Sequence, residues 1–188
     1  MRIGGGWRAT GGGLVGLVAV LALGGCGSKG DGNQNGKATA SVKQAFDRAK
    51  KHEKGGDRQK AIDAYSEAIK LDPKCTSAYG HRGILYHDKG ERQKALADFS
   101  KVIELDPKSK SAYVRRGMVY NELGEPRKTL ADFSKAIELD PRDSYPYEQR
   151  AVICKKALKN EAKANADREA ADAIRKQRWD DLQNLRKK

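Results

Sequence analysis

The stretch that decides the fold runs from residue 76 to residue 109 and reads TSAYGHRGILYHDKGERQKALADFSKVIELDPKS. The next stretch, residues 110–143, repeats it as KSAYVRRGMVYNELGEPRKTLADFSKAIELDPRD. A weaker copy precedes it at residues 42–75, so Pro73, Pro107 and Pro141 stand 34 residues apart. A fixed period of this length indicates one structural unit copied along the chain. We therefore expect a repeat array, which offers extended surface for binding.

Each unit contains two helical runs. In residues 76–109 they cover about 76–89 and 92–105, with Gly90 between them and Pro107 just past the second. Glycine after a helix and proline shortly beyond its end are the expected stop signals. Small residues recur in the first helix, at Ala49, Gly83, Gly117 and Ala151, and aromatic residues recur in the second, at Tyr65, Phe99 and Phe133. Each helix therefore has an apolar seam that one pair cannot cover and that stacked pairs can.

These residues resemble the tetratricopeptide repeat family over residues 42–143, and in part over residues 144–157. The resemblance implies an all-α solenoid, a right-handed superhelix of antiparallel helix pairs whose first helices line the concave face. It divides the chain into repeats at 42–75, 76–109 and 110–143. A degenerate fourth repeat and a C-terminal capping helix fill residues 144–188.

The fourth unit departs from the pattern, because Lys163 and Asp167 stand where small and aromatic residues are expected. Its second helix is predicted to merge into a long polar cap that shields the last repeat. The predicted apolar side of this cap consists of Ala166, Ala170, Ala173, Ile174 and Leu182. Trp179 is predicted to pack on the preceding pair rather than to anchor a partner.

The resemblance also implies a partner-binding groove on the concave face. Its candidate residues are Lys43, Phe46, Lys50, Lys54, His81, Ile84, His87, Arg115, Met118, Asn121 and Gln149. An apolar floor with basic flanks suits an extended or helical peptide that carries acidic residues. The alternative is an ordinary solvated helix face. The carboxylate clamp of chaperone-binding relatives needs Lys, Asn, Asn, Lys and Arg, and only Arg115 fits, so that ligand is not expected.

The N-terminal residues 1–25 have the layout of a secretory signal. Arg2 and Arg8 precede an apolar core at residues 14–23, and small residues follow it. The core is half of the ~20 residues that span a bilayer as a helix, so a permanent membrane span is the weaker alternative.

Residues 23–26, Leu-Gly-Gly-Cys, resemble the lipobox of bacterial lipoproteins. The resemblance implies that Cys26 carries the lipid and becomes the first mature residue; the alternative is an ordinary secreted protein. It places the protein in the bacterial cell envelope, facing the periplasm or the cell surface. The outer membrane is favoured over the inner, because Gly27 rather than Asp follows Cys26. Residues 26–41 are rich in Gly, Asn and small polar residues and are predicted to form a flexible tether.

The net charge of +13 favours acidic partners or anionic polymers. Cations alternate with acids along most helices, so a solvated helical surface also accounts for it, and nucleic acid is not an expected partner. The alternative function is a basic surface that binds anionic envelope polymers or lipid headgroups.

No constellation of residues indicates an enzyme, a cofactor or a metal site. His81 and His87 are six residues apart, which is not the spacing of a helical metal pair. Cys75 is predicted to be exposed in a turn and Cys154 to be buried. Two repeats separate them, too far for a mutual disulfide, and an intermolecular bond through Cys75 stays open.

Overall fold

The structure is a computed structural model that describes residues 35–186, with side chains described from Thr39 onward. In this part of the chain there are eight helices and no strand. The helices are α1 (Asn35–Lys54), α2 (Arg58–Leu71), α3 (Thr76–Asp88), α4 (Arg92–Leu105), α5 (Lys110–Glu122), α6 (Pro126–Leu139), α7 (Ser144–Lys156) and α8 (Glu161–Arg186). Contacts are most extensive within each pair (α1 with α2, and so on) and next between consecutive pairs. The predicted all-α solenoid is confirmed.

The turns within the pairs are set by glycine. Gly56, Gly90 and Gly124 have φ angles of 79°, 76° and 73°, a region that favours glycine because it has no Cβ. After α3, the Gly90 N–H donates to the His87 carbonyl and the next N–H donates to the Tyr86 carbonyl, which closes the end of the helix. In the fourth pair Lys159 takes the left-handed conformation, with φ 51°. It stands one residue later than the period requires, so this turn contains an insertion.

Small residues in the first helices let the two helices of a pair approach closely, as predicted. Phe99 and Phe133 are buried in the second helices. A Cβ added at Gly83 would lie 2.9 Å from Cε1 of Phe99, and one at Gly117 would lie 3.2 Å from Cε1 of Phe133. The glycines therefore leave room for the aromatic rings of the facing helix.

Helix α1 begins at Asn35, well before residue 42, where the first repeat was predicted to begin. Residues 35–41, predicted to belong to a flexible tether, are therefore helical. The rest of that tether and the signal segment lie outside the described residues.

Helix α8 buries a different face from the predicted one. Its buried residues are Ala164, Asp167 and Ala171. Of the predicted apolar side, Ala170 and Ile174 are half-buried and Ala166, Ala173 and Leu182 are exposed. Trp179 is 60% exposed, so the prediction that it packs on the preceding pair is wrong. The inserted turn residue accounts for the changed face, because it places each residue of α8 one position later than the 34-residue period requires. Trp179 is exposed because α8 runs beyond the start of its partner α7.

The cysteine predictions were half right. Cys154 is buried, as predicted, and burial raises the pKa of its thiol. Cys75, predicted to be exposed, is only 1% exposed, because the turn before α3 packs into the core that contains Tyr65 and Ala78. Within residues 35–186, no helix is long and apolar enough to cross a membrane.

Candidate functional site

A cavity of about 370 Å³ lies between the second and third helix pairs. Its walls come from the first helices α3 and α5, through His81, Ile84 and Arg115, and its floor comes from Phe99 and Val102 of α4. The three wall residues are all among the predicted groove residues. The cavity is thus a recess with an apolar floor and a guanidinium at its wall, and the Asp106 carboxylate and several Ser and Thr residues complete its lining.

The other predicted groove residues lie at the surface but not around this cavity. Lys43, Lys50, Lys54 and Asn121 are exposed, and Phe46, His87, Met118 and Gln149 are half-buried. Their exposure leaves them able to contact a partner. The geometry of these residues does not indicate a particular ligand.

Next to Arg115 stands Tyr145, at the start of α7. Burial raises the pKa of the Tyr145 hydroxyl, and the positive charge of Arg115 partly offsets this shift. Tyr145 is 37% exposed, so it can contact a partner. The guanidinium and the phenol hydroxyl therefore present two hydrogen-bond donors at this end of the groove.

The wall between the first two pairs is an aromatic cluster. Tyr65 stacks on His81 with ring centroids 5.3 Å apart, and Phe46 contacts both rings edge-on at 5.4 and 5.6 Å. The Tyr65 hydroxyl donates to Glu53 Oε2 over 2.6 Å. Burial and, after it, this carboxylate raise the pKa of Tyr65, which keeps the phenol protonated as a donor. The Nζ of Lys50 lies 5.3 Å from the Phe46 ring centroid.

His81 is the polar member of this wall. Its Nδ1 atom is buried and makes no hydrogen bond within the described part of the chain, although Glu53 Oε2 lies 3.3 Å away. The stacked ring is held in one orientation by Tyr65 and Phe46.

His87 is committed to an ion-pair cluster at the edge of the groove. Its Nε2 lies 2.7 Å from Glu122 Oε1, and Arg92 Nε donates to Glu122 Oε2 over 2.8 Å. Burial alone would raise the pKa of Glu122, but the hydrogen bonds from His87 and Arg92 outweigh it and lower that pKa. This predicted groove residue thus links α3 to α5.

A ladder of arginines, which the sequence reasoning missed, fixes the stacking of the pairs. Arg82 donates through two nitrogens to both carboxylate oxygens of Asp98, at 2.9 and 2.7 Å, and through the third to the Ser66 hydroxyl at 3.0 Å. The same three-residue contact recurs as Arg116 with Asp132 and Ser100, and as Arg150 with Asp167 and Ser134.

Each arginine of this ladder joins three helices. Arg82 of α3 holds Asp98 of its own pair and Ser66 of the preceding pair. Asp98, Asp132 and Asp167 are each 4% exposed. The ladder therefore sets the angle between neighbouring pairs and, with it, the curvature of the groove. A signal was present in the sequence, because Arg48, Arg82, Arg116 and Arg150 stand 34 residues apart.

The solenoid has two edges because successive helices are antiparallel. The hairpin edge holds the turns within the pairs, at residues 55–57, 89–91, 123–125 and 157–160, and the linker edge holds the turns between the pairs, at 72–75, 106–109 and 140–143. Lys155, Lys156, Lys159 and Lys163 cluster at the last turn of the hairpin edge. All four are exposed, and none forms an ion pair with another residue of the described chain.

Within residues 35–186, no group of three or more His, Cys, Asp or Glu side chains is arranged to hold a metal ion. Cys26, the predicted lipidation site, lies outside the described residues.

Comparison with known proteins gives the family and the fold. A family model of the tetratricopeptide repeat matches residues 76–109 and 111–143, and a second model of the same repeat matches residues 47–75. Together these matches cover just over half of the chain. No curated protein sequence matches it.

Solved structures share the solenoid. A crystal structure of MamA is 21% identical, with a TM-score of 0.71 over 77% of this chain and 84% of that chain. The TPR domain of OM64 from Arabidopsis is 26% identical, with a TM-score of 0.59 over 63% of this chain and 98% of that chain. The first TPR of Spaghetti (RPAP3), solved with the HSP90 peptide SRMEEVD, is 22% identical, with a TM-score of 0.59 over 62% and 92%.

Proposed function

Because the chain belongs to the tetratricopeptide repeat family, we propose that it is a protein-interaction scaffold that captures an acidic peptide segment in its concave groove. The cavity between the second and third pairs is the observation that carries this proposal. Its floor of Phe99 and Val102 and its wall residue Ile84 accept an apolar side chain. Arg115 stands beside them to meet a carboxylate.

The related complex supports a peptide ligand of this kind. The peptide in the Spaghetti complex, SRMEEVD, carries three acidic side chains. The ligand of this chain need not have the same C-terminal end as that peptide, because this chain carries one residue of the carboxylate clamp, Arg115. We therefore propose an internal acidic segment with an apolar residue next to it.

Affinity capture with matched charge reversals tests the groove. Arg115→Glu reverses a charge at the cavity, and Arg127→Glu makes the same change at an exposed position of the second helix α6. The variants have equal net charge, so any difference reports position. We expect partners identified by mass spectrometry to be lost with Arg115→Glu and with Ile84→Glu, and to be kept with Arg127→Glu. Equal retention by all three variants would contradict the groove proposal.

We propose further that the scaffold is held in the bacterial cell envelope by lipid on Cys26. The support is the order of a basic start, a short apolar core and the Leu-Gly-Gly-Cys sequence at residues 23–26. Two or three acyl chains, at about 0.8 kcal/mol for each buried CH₂, give a stable anchor. The lipid would fix where the groove works, and the groove would select what is brought there.

A second candidate function is supported by the lysine cluster at the hairpin edge. Lys155, Lys156, Lys159 and Lys163 lie in and next to one turn, and in residues 39–186 none of them forms an ion pair. Such a cluster attracts an anionic envelope polymer through charge alone. Binding of this kind weakens steeply with salt and is lost with Lys155→Glu and Lys159→Glu but not with Arg115→Glu.

A further inference from the structure

Both ends of the solenoid project past the linker edge. Helix α8 has 26 residues and its antiparallel partner α7 has 13, so residues 174–186, here called the α8 tip, run beyond the start of α7. At 1.5 Å per residue the α8 tip extends about 20 Å past the start of α7. Its first part lies beside the last linker turn, because Arg142 lines a cavity together with Ile174 and Arg178. Helix α1 has 20 residues against 14 in α2, so its first residues project past the same edge by about 9 Å.

The α8 tip exposes large apolar side chains. Trp179 is 60% exposed, Leu182 49% and Leu185 69%. They are spaced by three residues and lie within an arc of about 120° on the helix. Arg178 and Arg186 fall within the same arc, whereas Asp180 falls on the opposite side and Asp181 lies about 40° outside the arc. Large apolar side chains exposed together on one helix face mark a candidate interaction site.

We propose that the α8 tip is a contact for an anionic lipid bilayer, with Trp179 and the two leucines at the boundary between headgroups and acyl chains. Arginines interleaved with Trp and Leu on one face are typical of helices that lie in a membrane interface. Tryptophan is favoured at that level because its ring is apolar and its N–H is polar. Arg178 and Arg186 meet lipid phosphates, and Lys187 and Lys188 follow them in the sequence.

The position of the α8 tip agrees with the proposed anchor, on which this orientation rests. Cys26 precedes the start of α1 by nine residues, and a predicted tether of that length would span roughly 15–18 Å. The acyl chains and the α8 tip therefore reach the membrane from the same edge and over similar distances. The bilayer then meets the solenoid at the linker edge, where the α8 tip and the start of α1 both project, and not at the lysine cluster of the hairpin edge.

Charge separates a bilayer from a second copy of the chain as the occupant. Antiparallel pairing of two α8 tips about Leu182 would place Arg178 of one copy opposite Arg186 of the other. Parallel pairing would place each arginine opposite the same arginine of the other copy. Like charges destabilise either arrangement, whereas an anionic surface is attracted by both arginines.

Tryptophan fluorescence tests the proposal without the lipid anchor. The chain from residue 26 onward, with Cys26→Ser, carries no acyl chain and contains Trp179 as its sole tryptophan. Removing residues 1–25 removes none of the described helices. The probe is a phosphatidylcholine vesicle that contains about one third phosphatidylglycerol.

We expect anionic vesicles to shift the Trp179 emission to shorter wavelength, and neutral phosphatidylcholine vesicles to bind roughly 25-fold more weakly, at about fivefold for each of two arginines. Leu182→Asp should abolish the shift. The matched control is Leu158→Asp, at an exposed leucine of the hairpin edge, 43% exposed against 49% for Leu182, and it should leave the shift unchanged.

Three results would overturn the proposal: no shift with anionic vesicles, an equal loss with Leu158→Asp, or a shift that follows protein concentration without vesicles, which would assign the stripe to a second copy. The proposed lipid anchor is tested separately. Absence of acyl label on Cys26 would remove the anchor and leave the vesicle result of the unlipidated chain standing.

Discussion

Two glycines in one helix should respond in opposite directions to the same substitution. Gly80 and Gly83 both lie in α3, and alanine at either position gains helix propensity of about 1 kcal/mol. A Cβ at Gly80 meets nothing within 4 Å, so Gly80→Ala should raise the free energy of unfolding by about 0.5–1 kcal/mol.

At Gly83 the same Cβ has no room. It would lie 2.9 Å from Cε1 of Phe99 and 3.2 Å from Cβ of Asp98. Phe99 is 1% exposed, and Asp98 is held by both hydrogen bonds from Arg82, so neither can retreat easily. Overpacking of this kind costs about 1–3 kcal/mol, which outweighs the gain in propensity. Gly83→Ala should therefore lower the free energy of unfolding by up to about 2 kcal/mol.

Urea denaturation followed by circular dichroism measures the difference directly. With a slope of about 2 kcal/mol per M, the midpoint of Gly83→Ala should lie below that of Gly80→Ala by up to about 1.5 M. Gly117→Ala, with its closest contact at 3.2 Å, should fall between them. Coincident midpoints for Gly80→Ala and Gly83→Ala would refute the close approach of α3 and α4.

Three further perturbations test the ladder, the groove edge and the anchor. Asp132→Ala leaves Arg116 half-buried without its carboxylate partner, so the free energy of unfolding measured in urea should fall by about 3 kcal/mol. The control Glu138→Ala, at an exposed ion pair, should lower it by less than about 0.5 kcal/mol. Equal losses in the two variants would argue against the ladder. Because the pKa of Glu122 is lowered in the folded state, its ionised carboxylate stabilises the fold at pH values above the unfolded-state pKa. This stabilisation is lost as the pH falls through the folded-state pKa. In thermal denaturation, Glu122→Gln should therefore be less stable than wild type by less than about 1 kcal/mol at pH ~7, and the two should become equally stable in acid. A difference in stability that grows in acid would be inconsistent with this ion pair. Cys26→Ala should abolish palmitate labelling in cells, and an unlabelled wild type would exclude lipidation.

The periodic residues predicted the fold well because they act locally. Gly90 ends α3 and Pro107 follows α4, so the helix bounds of the second pair agree with the sequence to within one residue. The small residue at Gly83 and the ring of Phe99 predicted the contact between these two helices. Of the groove residues, His81, Ile84 and Arg115 meet at one cavity.

What the sequence did not reveal depends on contacts between distant residues. Asp98 resembles a surface residue in any hydropathy pattern and is buried because Arg82, sixteen residues earlier, holds both of its oxygens. One extra residue in the turn near Lys159 rotated the buried face of α8, which no local preference signals. Trp179 is exposed because α8 outruns its partner helix, and relative helix lengths were not read from the pattern.

Site-specific photocrosslinking tests the central claim of a peptide-binding concave groove most directly. A benzophenone amino acid would replace Ile84 in the cavity in one variant and the exposed Arg127 of α6 in another, in the full chain expressed in its own cells. The account predicts that a protein partner crosslinks from position 84 and not from position 127, and that added Arg115→Glu removes the crosslink. Crosslinking of the same partner from both positions, or from position 127 alone, would contradict it.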